Sequence, residues 1–423
     1  MSAAQRTPGE LWTQIHAFIA HYPERTHYAW PWLEDKPDDG LKEYIPFVGV
    51  TPPLVEHRQN ILAVQGTCRA WRDSATPLLH RTLVLESLSR LVKVADHLEQ
   101  SRKHRLHGLG WWTKELVVTM GTYGNTAGEH QSAGHNLARI VRCCPQLRTF
   151  ISFVATMQSE AREVVDALPS TIRHMHWVSA GPSFRSWHSL ITRAESILSL
   201  RMTSLYVSQD VPETPHLRLE ALHTLYLNGA APGVPGLLRT LVGWDLPSLR
   251  TVVLTNAFNM RTEPDATSFF ERFGSQITAV AYPNSLGSRD VSERLARLIS
   301  TCTGLRHLWL SQSLKWRHNE TTLLKLSTVT HVALQSSFQA MIMLPPDRIQ
   351  GWGEVLSMFD AEHYPALQVI RFSSVTLPDL KSGETEVATF WENAIATAKA
   401  QGVELQDAYG VPLKVEKLHS TQD

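Results

Sequence analysis

A six-residue apolar pattern, L-x-x-L-x-L, recurs along this sequence from about residue 110 to the C-terminus. The spacing between successive segments runs from 20 to 38 residues and is mostly 24 to 30. Units of this size must stack on their neighbours, because one unit cannot bury its apolar face alone. The pattern therefore predicts an α/β chain of stacked strand-plus-helix units. The segments begin near Leu116 and at Leu147, Ile172, Met202, Leu222, Leu249, Ile277, Leu305, Val329 and Leu367.

The residues between these segments fit the same interpretation. Val291–Thr301 has the apolar spacing of a helix, and 384–401 predicts a helix that ends at Gly402 before a last strand at 403–405. A final amphipathic helix can cap such an array by hiding its last apolar face. Together these features resemble an irregular leucine-rich-repeat solenoid, a horseshoe over residues 86–423 with a C-terminal capping helix. The alternative is a set of unrelated α/β units whose leucines recur by coincidence.

The N-terminal residues predict a small all-helical module. Residues 8–19 place apolar side chains on one helix face, 60–72 has a second helical pattern, and a third short helix is expected from Leu78. Two stretches here resemble the two halves of an F-box, and the chain is similar to fungal F-box proteins with irregular leucine-rich repeats. The first half is Pro8, Glu10, Leu11 and Ile15; the second is Cys68-Arg69-Ala70-Trp71-Arg72, followed by Ala75, Pro77, Leu78 and Leu79.

The F-box-like module would span residues 7–85 and carry an unusual insertion. Thr7 stands where the family has leucine, and a segment rich in proline and aromatic residues, at about 21–53, separates the two halves. Because the entropic cost of closing a loop grows only logarithmically with length, an insertion of this kind is compatible with the module. The alternative is an unrelated helical cap on the repeat array.

The resemblance implies a function without bond chemistry. The chain would be the substrate-recognition adaptor of an SCF-type ubiquitin ligase, with the repeats holding a protein target. The alternative is a protein-binding repeat scaffold that is not attached to a ligase. The resemblance assigns binding of the Skp-type linker subunit of the ligase to Pro8, Leu11, Ile15, Trp71, Pro77, Leu78 and Leu79.

Within each L-x-x-L-x-L segment, the x positions are expected to project from the concave face of the horseshoe. From Leu147 to the segment at Leu367, these positions include many basic and aromatic residues and no Asp or Glu. Such side chains suit an acidic or phosphorylated protein segment, although arginine is common in the repeat itself. The predicted substrate-binding residues are Arg148, Arg173, His174, His176, Tyr206, His223, Tyr226, Arg250, Arg306, His307, Trp309, His331 and Arg371.

Composition limits the classes of partner and the cell compartment that can be expected. Forty basic residues balance forty acidic ones, so the sequence predicts neither a nucleic-acid nor a membrane-surface partner. The four cysteines are too few for a disulfide framework, which favours a cytoplasmic or nuclear location. No signal peptide and no membrane-spanning run is expected.

No motif predicts an enzyme or a cofactor. His174 and His176 fall on one side of a predicted strand, but no third ligand follows at zinc-like spacing, and no nucleotide-binding loop or nucleophile elbow occurs. The sequence therefore predicts no catalytic residue, metal site or cofactor.

Overall fold

Short strands and helices follow one another along the chain, and the strands that the structure describes form one parallel sheet. The computed structural model describes residues 62–63, 69–104, 106–119, 127–153, 158–177, 184–202, 216–228, 234–255, 263–285, 295, 297–312, 325–336, 353, 355–372, 385–407 and 410–414. The sheet has twelve strands, and their order in space is their order in the sequence. Because parallel neighbours need a crossover, each connection returns the chain to the same edge of the sheet.

The strands are short, as each repeat contributes only a few residues to the sheet. Their bounds are β1 Thr82–Leu85, β2 Glu115–Val118, β3 Thr149–Ser152, β4 His174–Trp177, β5 Ser199–Met202, β6 Thr224–Asn228, β7 Thr251–Thr255, β8 Ala279–Ser285, β9 His307–Gln312, β10 His331–Ser336, β11 Val369–Phe372 and β12 Glu404–Gln406. The starts of β3 to β6 are evenly spaced, at residues 149, 174, 199 and 224. This regular spacing is the repeat that the sequence predicts.

Helices connect the strands. Their bounds are α1 Arg69–Leu79, α2 Leu88–His104, α3 Ala127–Arg142, α4 Gln158–Ala167, α5 Phe184–Arg193, α6 Val234–Val242, α7 Glu263–Phe273 and α8 Thr385–Ala400, with 3₁₀ turns at Leu109–Trp112 and Gly274–Gln276. Residues 62–63, 295, 297–299, 353 and 355–357 are helical as well. The predicted C-terminal helix is confirmed by α8, which ends before Gly402 at a φ of 78°. Glycine adopts this left-handed conformation without a Cβ penalty.

Register divides the sheet into a core face and an outer face. The second residues of adjacent strands pair directly, as Phe150 does with Met175 and Met175 with Leu200. Side chains alternate along a strand, so second and fourth residues share one face, and first and third residues share the other. The second and fourth residues pack with the helices in one continuous apolar cluster, which includes Trp187 of α5. The face with the first and third residues is called the outer face below.

Two strands of the sheet, β1 and β5, lie at positions that the sequence did not predict. β1 starts at Thr82, before residue 86, and follows α1 directly, so no helix starts at Leu78. Pro77 is accommodated inside α1. The fifth strand lies earlier than the segment predicted from Met202: β5 is Ser199–Met202, which pairs with β4 and β6, and residues 203–207 fall outside the described residues. Ile197, Leu200 and Met202 supply the apolar spacing there, and this spacing overlaps the predicted segment by one residue.

Candidate functional site

Residues 69–79 of the second half of the F-box-like motif form α1, whereas Cys68 falls outside the described residues. Ala75 is almost fully buried, and Trp71, Leu78 and Leu79 pack around it as half-buried residues. This cluster is separate from the repeat core. Pro8, Leu11 and Ile15 of the first half fall outside the described residues, so the predicted pairing of the two halves stays a prediction.

Four of the predicted substrate-binding arginines occupy one equivalent position, which differs from the expected one. Arg148, Arg173, Arg250 and Arg306 each come immediately before the first residue of a strand, and all are exposed. Since successive side chains of an extended segment point to opposite sides, they do not share the outer face with the residue that follows. These arginines line the edge at which the strands begin. His223 occupies the same position before β6 and is half-buried.

Backbone hydrogen bonds align these pre-strand positions from repeat to repeat. The N–H of Arg148 donates to the carbonyl of Lys114 at 2.8 Å, and the N–H of Arg173 donates to the carbonyl of Arg148 at 2.7 Å. The N–H of Lys114 donates in turn to the carbonyl of Arg81 at 2.8 Å. Four consecutive repeats therefore place a basic residue at the same point of the edge. Arg81 and Lys114 were not among the predicted residues, because the predicted exposed positions start at Leu147.

The outer face carries the other predicted residues, but it is not open as expected. His176 and Tyr226 are each 1% exposed, Trp309 is 6% exposed and Arg371 is 8% exposed. His174, His307 and His331 are half-buried. The prediction placed these residues correctly in the strands and wrongly assumed that they were exposed. Tyr206 lies outside the described residues and follows β5; Arg201 takes the third position of that strand.

A polar group occupies the outer face at β4 and β5. His176 Nε2 lies 2.7 Å from Ser199 Oγ, and its ring centroid lies 4.8 Å from that of Tyr226. The guanidinium carbon of Arg201 lies 5.7 Å from the centroid of the same tyrosine ring, within cation–π range. Burial, then the nearby Arg201 and His174, holds the pKa of His176 well below its usual range. Burial likewise lowers the pKa of His174 to about 4.

Next to this polar group, the outer face becomes apolar. Tyr226, Val253, Ala279, Ala281, Trp309 and Ala333 form one buried cluster across β6 to β10. At the far end, Arg371 Nη2 donates to Gln406 Oε1 at 2.9 Å. Glu115 of β2 and Glu404 of β12 lie in the first position of the same face, outside the nine segments from which acidic residues are absent.

Other possible sites lie elsewhere in the fold. A cavity of about 350 Å³ lies between residues 353–360 and α8, lined mainly by apolar side chains such as Leu356, Phe390 and Ala394. Within the described part of the chain, no three His, Cys, Asp or Glu side chains come together in a group that could hold a metal ion. No described helix has both the length and the apolar content needed to cross a bilayer.

Ser199 and His176 resemble a nucleophile–base pair in distance alone. Ser199 is fully buried and His176 nearly so, so the described structure leaves no path for a substrate to the serine oxygen. Burial also raises the pKa of Cys144 to about 12, which keeps that thiol protonated and unreactive near neutral pH.

Comparison with known proteins adds little to these observations. No family model and no curated protein matches the sequence. Among solved structures, the chain is similar to the leucine-rich repeat-containing protein LegL7 from Legionella pneumophila, with 13% sequence identity and a TM-score of 0.37, over 74% of this chain and 89% of that chain. The repeat architecture assigned here therefore depends on the strand order and register of this chain itself.

Proposed function

We propose that this chain is a protein-binding repeat scaffold. The observation that carries the proposal is the register of the sheet, in which twelve parallel strands pair in sequence order. Equivalent positions of successive repeats therefore form rows, with a step of about 4.8 Å between neighbouring strands. A rigid row of this kind suits a polypeptide partner, which makes many contacts along its length.

We further propose that the scaffold serves an SCF-type ubiquitin ligase as its substrate-recognition adaptor. Two observations support this finer function: the resemblance of the N-terminal residues to an F-box, and the apolar cluster of Trp71, Ala75, Leu78 and Leu79 outside the repeat core. An apolar helix cluster of this kind can be completed by the helices of a partner. The adaptor would act by proximity, since holding the target beside a ubiquitin carrier raises their effective concentration.

Co-purification with a Skp-type subunit tests the adaptor function. The full chain is compared with an Ile15→Asp variant, which places a charge on the predicted apolar helix face, and with a Val411→Asp control. Val411 is 43% exposed and follows β12, at the opposite end of the sheet from α1. We expect stoichiometric capture by the intact chain and the control, and loss of capture by Ile15→Asp with an unchanged circular dichroism spectrum. Failure of the intact, folded chain to capture the subunit would reject the adaptor function and leave the scaffold.

A further inference from the structure

The edge of the sheet at which β1 to β4 begin differs from the rest of that edge in charge. Arg81, Lys114, Arg148 and Arg173 occupy the position before these four strands. The next aligned position is Leu198, and later ones include Thr278 and Thr330. The basic row is thus continuous over the first four repeats and interrupted afterwards.

Acidic residues are absent from the segments before β1 to β4 and present in the segments before β5 to β7. The segments that lead from a helix into β1, β2, β3 and β4 are 80–81, 105–114, 143–148 and 168–173, and none contains Asp or Glu. The segments before β5, β6 and β7 contain Glu195, Glu220 and Asp245. Asp245 pairs with Arg218 at 3.5 Å, so the edge beyond β4 partly neutralises its own cations.

The four basic side chains are available to a partner. Arg81, Arg148 and Arg173 are exposed, and Lys114 is half-buried. None of the four forms an ion pair with any carboxylate in the part of the chain that the structure describes. They also repel one another: burial first, then the charges of Arg81 and Arg148, lowers the pKa of Lys114, and the charge of Glu115 offsets only part of this. An anion bound along the row would relieve this repulsion.

Exposed apolar side chains lie in the segment that leads into β2. The segment between α2 and β2 contains Leu106, which is 93% exposed, and Trp112, which is 41% exposed. Trp112 is two residues before Lys114 in the chain. Arginine and tryptophan together are the residues most enriched at the energetic centres of protein interfaces, whereas a site for a simple polyanion needs no apolar contact.

We propose that Arg81, Lys114, Arg148 and Arg173 form a docking row for an acidic segment of a partner protein, with carboxylate or phosphoryl groups facing the cations. The row spans about 14 Å from the first strand to the fourth, roughly four or five residues of extended peptide. Guanidinium groups bind carboxylates and phosphates with paired hydrogen bonds, so both sources of negative charge fit. This inference rests on the proposed protein-binding function and names its partner class.

Fluorescence anisotropy with the full chain tests the row directly. Three labelled peptides of one length carry a central leucine and differ only in their flanking residues, which are glutamate, phosphoserine or glutamine. We expect the glutamate peptide, the phosphoserine peptide or both to bind, more weakly as salt is raised, and the glutamine peptide to bind at least about tenfold more weakly. Equal binding of all three peptides, or tighter binding of a single-stranded RNA of similar length, would overturn the proposal.

A matched pair of variants locates the binding. Arg148→Glu and Arg306→Glu make the same charge change at the same exposed pre-strand position, but only Arg148 lies in the continuous row. We expect Arg148→Glu to weaken binding of the acidic peptide about tenfold, and Arg306→Glu to change it less than about twofold. Equal weakening by both variants would reject the row. Because capture of a Skp-type subunit by the same preparation is measured separately, loss of peptide binding alone leaves the adaptor function standing.

Discussion

His176 Nε2 of β4 and Ser199 Oγ of β5 lie 2.7 Å apart in the buried outer face of the sheet. The two residues stand on adjacent strands, two residues apart in register, since Ser199 pairs with His174 and His176 with Arg201. The hydrogen bond gives a polar partner to an imidazole that is only 1% exposed. A buried polar group without such a partner destabilises the folded state, so this contact has a measurable consequence.

We expect Ser199→Ala to lower the free energy of unfolding by about 1–2 kcal/mol, because it leaves His176 Nε2 without its hydroxyl partner. Urea denaturation monitored by circular dichroism measures the change. Ser196→Ala is the control, since the contact of Ser196 Oγ with the carbonyl of Ile172 is long, at 3.4 Å. An equal loss of stability in both variants would contradict the importance of the His176 contact.

The two histidines of β4 predict a loss of stability on mild acidification. Burial lowers the pKa of His174 from 6.5 to about 4 and the pKa of His176 further below its usual range. Both rings stay neutral in the folded chain, whereas the unfolded chain protonates them near pH 6.5. Their contribution is fully present above that pH and is lost as the pH falls toward 4.

Urea denaturation at a series of pH values tests this dependence. We expect the free energy of unfolding of the intact chain to fall between about pH 6.5 and 4, and the slope to be smaller in a His174→Gln variant. A neutral side chain at this position removes one of the two groups that bind protons on unfolding. An identical slope in the variant would mean that His174 does not carry the effect.

Arg139 connects two neighbouring helices. Its Nη2 lies 2.7 Å from Asp96 Oδ1 and 2.6 Å from Glu99 Oε2 of α2. The hydrogen bond from Arg139 lowers the pKa of Glu99 below its ordinary value of 4.5. This contribution to stability is therefore present above pH 4.5 and is lost as the pH falls through the lower folded-state value.

Arg139→Met should lower the free energy of unfolding by about 1 kcal/mol, and by less at high salt, because the carboxylates are partly exposed. Thermal denaturation at two salt concentrations measures both effects. Arg162→Met is the control, since Arg162 is 73% exposed and lies 3.6 Å from Asp166 within one helix. A salt-independent effect at Arg139 would point to packing of its alkyl chain instead.

We expect the same substitution, glycine to alanine, to destabilise the chain at Gly110 but not at Gly353. A Cβ at Gly110 would overlap the backbone carbonyl of Cys143, whereas a Cβ at Gly353 would meet Phe390 at an ordinary 3.7 Å. We expect Gly110→Ala to destabilise the chain by about 2 kcal/mol or more through overpacking. Gly353→Ala, at a helical position, should be neutral or stabilising by about 0.5 kcal/mol. Differential scanning fluorimetry should show a lower melting temperature for Gly110→Ala and no decrease for Gly353→Ala; a similar decrease in both variants would contradict this packing.

The apolar period predicted most of the sheet because the buried second and fourth residues of each strand leave a strong signal. Leu225 and Leu308, for example, are fully buried at the predicted positions. The period failed at β5, where Leu200 and the segment from Met202 offer overlapping patterns with similar apolar content. Pairing with β4 and β6 selects the first of them, and pairing partners are not visible in a single local pattern.

The candidate surfaces were harder to predict than the strands. The alternation of side chains along a strand predicted which residues share a face. It did not predict that Tyr226 and Trp309 on that face are buried, because burial depends on contacts between distant parts of the chain. To predict the basic row, one would have to know how the strand starts align and where the first two strands lie. Arg81 precedes β1, a strand that the sequence assigned to the helical module.

The finest part of the proposed function is that the chain binds a Skp-type subunit through its N-terminal residues while its repeats hold a protein. Hydrogen exchange of the full chain, measured alone and with an equimolar Skp-type subunit, tests this claim most directly. We expect slower exchange in α1, residues 69–79, and in residues 8–19, with unchanged exchange in β3 to β10. Unchanged exchange throughout residues 1–79 at a saturating concentration of the subunit would contradict it.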